Sequence, residues 1–126
     1  MKRDLDLIRE IMLTLEDKME YGKNFKSDKL FEIMQNETLS IAKLTYHIGL
    51  LIDANFIKAN AKKYQSNDDG DFIVTVITSE GQDFLDTIRQ KNTWDIVKAK
   101  AAEIGGSSIS LIVEIGKDYL KKQIGI

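Results

Sequence analysis

The side chains able to do chemistry lie in two short stretches. Ser40, Lys43, Thr45 and Tyr46 belong to a segment whose Leu44, Ile48 and Leu51 recur at spacings of four and three. That repeat predicts a helix with the three apolar residues buried and the four polar ones turned to water. Such a face suits a duplex groove: Lys43 would meet a phosphate or a guanine edge, while Ser40, Thr45 and Tyr46 would hydrogen-bond bases or phosphates. The same residues also make an ordinary solvated helix face. The segment has no Arg for a bidentate guanine contact, and Glu37 just ahead of it repels phosphate. Lys58, Lys62 and Lys63 form the second group, on a predicted strand. They would either grip phosphates or protect a sheet edge, where Lys blocks unwanted pairing.

Other chemistry is excluded or weakly signalled. The chain has no Cys and one His, so it offers no thiolate nucleophile, no disulfide and no transition-metal cluster. A lone His47 among helix core positions reads as a hydrogen-bonded structural residue, although histidine also titrates near neutral pH. The stretch from Gln65 to Val76 fails as a calcium loop: with Gly70 at the sixth place, Gln65 and Val76 stand where Asp and Glu are required. No P-loop, GxGxxG, GxSxG or HExxH occurs. Pairs such as Asp83 and Asp86 lie on a solvated face. These observations predict a protein without catalysis, cofactor or metal.

Composition agrees with a small folded domain. Of 126 residues, 43% are apolar and 30% charged, which excludes collagen-like and mainly disordered chains. No apolar run approaches the roughly 20 residues that span a bilayer. The opening MKRDLDLIRE carries acids where an export signal is apolar, so a cytoplasmic location is expected and the Asn36-Glu37-Thr38 sequon carries no meaning. Net charge is −2, against the basic excess usual in nucleic-acid binders. Residues 1–63 hold 11 basic and 10 acidic groups, residues 64–126 hold 7 and 10. Any DNA-facing surface is therefore a local patch in the first half.

The elements that must position these residues follow from periodicity. Leu5, Ile8, Met12, Leu15 and Met19 predict a helix over 4–20. Residues 21–26 read as a linker. Ser27 is suited to cap a helix that turns Leu30, Phe31, Ile33 and Met34 inward, and 35–39 reads as a turn. The Lys43 helix spans about 40–54 and ends at Asn55, which tolerates the left-handed closing conformation. Residues 56–64 and 72–78 read as the strands of a hairpin joined by the polar loop 65–71, whose Asp68, Asp69 and Asp71 would repel a DNA backbone. Ser79-Glu80-Gly81-Gln82 has capping-box spacing and opens a helix with Phe84, Leu85 and Ile88 inward. Thr93 is suited to cap the next, with Trp94, Val97, Ala101 and Ile104 inward, and Gly105-Gly106 stops it. Ser107 or Ser108 opens a last helix to about Lys122, with Leu111, Ile112, Ile115 and Tyr119 on one side.

Three helices followed by a hairpin is the order of a winged helix-turn-helix. The expected fold is thus α+β and mostly α: a winged helix over 1–92, then a C-terminal helical hairpin over 93–126. That hairpin either closes the monomer core or dimerises through Leu111, Ile115 and Tyr119. Gly116 would permit close helix approach, at about 1 kcal/mol relative to Ala. Residues 44–57 resemble the recognition helix of many bacterial winged-helix regulators through His47-Ile48, Leu51 and Ala54-Asn55-Phe56-Ile57, with Asn55 where Gly is usual. Thr78-Ser79-Glu80-Gly81 with Phe84-Leu85 resembles their Thr-x-x-Gly entry to the helix after the wing.

A likeness over nearly the whole chain is carried by the opening Met1 to Arg9, Tyr46-His47-Ile48, Thr78 to Ile88, and Trp94 through Gly105-Gly106-Ser107 to Gly125. It resembles the domain of unknown function 2513 family of bacteria and their phages. The resemblance implies that fold and a bacterial or prophage origin, without an activity or site residues. The expected function is double-stranded DNA binding as a homodimer, as a transcriptional regulator. The alternative is a phage or prophage protein-interaction module that binds a host or phage protein.

Overall fold

The computed structural model describes residues 1–62, 71–105 and 108–124. Among them are six helices and a small three-stranded antiparallel sheet, in the order α1 (Leu5–Lys18), β1 (Phe25–Lys26), α2 (Ser27–Met34), α3 (Ile41–Asp53), β2 (Ile57–Lys62), β3 (Asp71–Ile77), α4 (Ser79–Ile88), α5 (Lys91–Ile104) and α6 (Ile109–Gln123). The protein is a mostly helical α+β chain. It divides into two compact units, Met1–Gly81 and Gln82–Ile126, the division falling in the first turn of α4.

In the first unit, Asp4 caps α1 by accepting the Leu7 N–H on Oδ1 at 3.2 Å. The helix buries Leu7, Ile8, Ile11, Met12 and Leu15. Leu5 and Met19, expected on this face, are only half-buried. The buried stripe keeps Ile8, Met12 and Leu15 of the expected one and is turned toward Leu7 and Ile11. Leu30, Leu44, Ile48, Leu51, Phe56, Ile57 and Val74 complete this core.

Two expectations about residues 21–34 are corrected. The linker contains a two-residue strand, β1, whose Phe25 and Lys26 pair with Val74 and Ile73. Ser27 is not a cap: it is buried, and its Oγ accepts the Phe72 N–H at 3.1 Å, tying the start of α2 to β3. Of the four apolar residues expected inward on α2, Leu30 alone is buried; Phe31 and Met34 are half-buried and Ile33 is exposed. An eight-residue helix offers only about two turns, so a single residue can anchor it. The turn into α3 is held by Asn36, whose Oδ1 accepts from the Thr38 N–H and hydroxyl and from the Leu39 N–H.

The sheet order is β1-β3-β2. A bulge at Thr75 shifts the β2–β3 register between Lys58 and Ala59, and the Thr75 hydroxyl donates to the Lys58 carbonyl. Residues 63–70, which include Lys63 and the acidic hairpin tip, lie outside the described residues.

The ends of α3 and β3 meet at one corner. Asn55 has φ 63°, the left-handed conformation its position requires. The Phe56 N–H donates to Leu51 and the Asn55 N–H to Ile52, a Schellman closure. Thr78, not Ser79, caps α4: its Oγ1 accepts the Gly81 N–H at 3.0 Å and donates to the Asn55 carbonyl. A Cβ on Gly81 would collide with the Phe56 carbonyl oxygen and stand 2.9 Å from Ile77 Cγ2. The Thr-x-x-Gly spacing thus supplies a cap and then a gap.

In the second unit, Phe84 meets Trp94 edge-on at 6.5 Å between ring centroids, with Leu85, Ile88, Val97, Ala101 and Ile112 buried. Thr93 is a buried residue of the first turn of α5 and not its cap, which is Gln90 without a side-chain bond. Ile104, expected inward, is 67% exposed on the last turn. Gly105 ends α5 in the left-handed conformation, φ 84°. Ser108 caps α6 through the Leu111 N–H. A Cβ on Gly116 would strike Thr87 Cγ2, so the glycine lets α6 approach α4 closely.

Candidate nucleic-acid interface

The first turns of α3 carry the residues singled out from the sequence. Ser40 is the N-cap and its Oγ accepts the Lys43 N–H at 3.0 Å. Leu44, Ile48 and Leu51 are buried, and so is His47. The outward face is therefore Ile41, Ala42, Thr45 and Tyr46. Ile41 is 48% and Tyr46 40% exposed, and Thr45 is half-buried.

His47 explains why Asp4 stands beside Lys43. Its Nε2 accepts the Asp4 N–H at 2.8 Å, which a ring nitrogen does only without a proton. Its Nδ1 therefore carries the hydrogen and donates to the Lys43 carbonyl, also at 2.8 Å. The ring takes an edge contact from Tyr46, 5.4 Å between centroids. Fixed in this way, Asp4 stands beside Lys43, and its Oδ2 lies 3.3 Å from Nζ, with side chains 40% and 33% exposed. Lys43 is thus a half-exposed lysine in an ion pair, not a free cation. Sequence reasoning missed Asp4. An acid just ahead of an amphipathic run signals a cap, but nothing local links it to a lysine 39 positions later.

The other candidates are divided. Lys58 is exposed on β2 beside the bulge. Lys62 pairs through its backbone with Asp71, and Lys63 lies outside the described residues. On α6, Leu111, Ile115 and Tyr119 are each half-buried, and Lys100 stacks its ammonium over the Tyr119 ring at 5.5 Å. Among the described residues, no group of three or more His, Asp or Glu is arranged to hold a metal, and no helix is long and apolar enough to cross a membrane.

Fold and site together define a mostly helical α+β protein that presents the first half of one helix, α3, at its surface. The chain belongs to the family described as hypothetical protein DUF2513, whose model matches residues 2–108. It is similar to an uncharacterised protein of Haemophilus influenzae, 31% identical over 118 residues that cover 90% of this chain and 93% of that relative. No solved structure matches the chain.

Proposed function

We propose that residues 1–81 form a winged helix-turn-helix and that the protein binds double-stranded DNA through the first half of α3, as a bacterial or prophage transcriptional regulator working without catalysis or cofactor. The observation that carries this reading is the placement of α3. One face is buried, and the opposite face of its first two turns, from Ser40 to Tyr46, is open to a groove. The order α1-β1-α2-α3-β2-β3 with sheet order β1-β3-β2 supports it, because the hairpin then takes the place of the wing. Lys58 supplies a further phosphate contact. Half-buried Leu111, Ile115 and Tyr119 on α6 are the surface through which two copies pair.

Fluorescence anisotropy with a duplex at two salt concentrations tests the reading. Binding should weaken steeply with salt, and Lys43→Glu should reduce affinity at least tenfold. Absence of wild-type binding at low salt overturns it. One observation favours a second reading, a protein-interaction module: the outward face of α3 is neutral, with Ile41, Ala42 and Tyr46 exposed. Capture of one stoichiometric host protein, unaffected by nuclease and lost in Tyr46→Ala, would favour that module.

A further inference from the structure

We propose that Asp4 is a built-in competitor for Lys43: it holds the lysine in an intramolecular ion pair that a DNA phosphate must displace. The inference rests on the DNA-binding reading above. Asp4 is fixed at three points. Its Oδ1 caps α1 through the Leu7 N–H, its own N–H donates to His47 Nε2, and its Oδ2 faces Lys43 Nζ at 3.3 Å. His47 is buried and closes the loop by donating to the Lys43 carbonyl. The carboxylate therefore cannot swing away without giving up the helix cap, and it stays beside the lysine.

The pair is also partly exposed, so it is weak enough for a polyanion to displace. Lys43 with Asp4 presents no net charge to the duplex, whereas Lys43 released from Asp4 presents one. Asp4 thus sets how much α3 gains from phosphate, and favours duplexes whose backbone comes close enough to outbid a fixed carboxylate. Asp4 is a positioning residue in this scheme.

The test uses the full chain and a duplex in anisotropy titrations across salt. Asp4→Asn keeps a good N-cap and removes the charge. Binding should tighten roughly two- to fivefold at low salt, the range an exposed pair supplies. The slope of log affinity against log salt should change little, because Lys43 neutralises the same phosphate in both proteins. Lys43→Ala in the Asp4→Asn background should remove the gain. A capping role alone predicts unchanged or weaker binding, and simple repulsion of phosphate by the carboxylate predicts a gain that survives Lys43→Ala. Asp4→Ser, a second capping residue, guards against an effect peculiar to Asn. If wild type binds and neither Asp4 variant binds more tightly, the competitor is overturned while DNA binding stands. If no variant binds, the DNA reading itself fails and the competitor falls with it.

Discussion

The two ends of α3 are held in opposite ways. At the C-terminal end, backbone meets backbone: Asn55 and Phe56 close the helix onto Ile52 and Leu51, the Thr78 N–H donates to the Phe56 carbonyl, and Gly81 leaves room for that carbonyl and no more. At the N-terminal end the bonds run through side chains, from Ser40 to Lys43 and around the Asp4–His47–Lys43 loop, and the outward residues are left to solvent. The partly exposed Lys43–Asp4 pair is cheap to exchange, while the buried His47 bonds and a carbonyl wedged against a glycine are not. One end therefore anchors the helix throughout, and at the other only the Lys43–Asp4 pair and the outward residues are free to trade partners.

Substitutions sharpen that contrast, beginning at the anchored end. Gly81→Ala should cost about 3 kcal/mol in chemical denaturation, because the new Cβ meets a backbone oxygen that cannot rotate away. A loss below about 1 kcal/mol would show that the corner yields and that the anchoring is weaker than described. His47→Leu comes next, at about 2 kcal/mol: it keeps bulk in the core but leaves the part-buried Asp4 N–H without its acceptor. The same variant should raise hydrogen exchange at Asp4 and Leu7, which reads the loop directly. Protection unchanged at both would break the link between His47 and the N-terminus. The smallest effect is expected at Asn55. Asn55→Ala should cost about 1 kcal/mol through the left-handed backbone, and Asn55→Gly should recover most of it despite losing the Glu80 contact. An Ala variant as stable as wild type would show that φ at this corner is not under strain.

Legibility follows the same division. The corner could be read in part from the chain: Asn at a helix end implies a left-handed closure, whereas the capping-box spacing pointed to Ser79 and the cap is Thr78. Ser108, Gly105 and Gly116 were legible for the same reason, since each acts on backbone within a few residues or by having no side chain. The free end was only half legible. The stripe of Leu44, Ile48 and Leu51 placed Ser40, Thr45 and Tyr46 outward, but it offered Lys43 as an open cation, whereas Asp4 neutralises it. Nor did periodicity reveal β1, because two residues are too few to show alternation. Ser27 illustrates a related loss. Its type suited a helix cap, and a strand 45 positions away took its hydroxyl instead.

Residue types and spacing alone determined where the helices lie, which stripe of α3 is buried and where the chain reverses, because those outcomes depend on local backbone preference and on a period that neighbours in sequence share. The tertiary structure decided that Lys43 meets Asp4 and that the inner face of α1 turns toward Leu7 and Ile11 and away from Leu5 and Met19. Both depend on groups brought together from distant positions, and the free energy of an ion pair or a buried face belongs to the pair of surfaces and not to either segment.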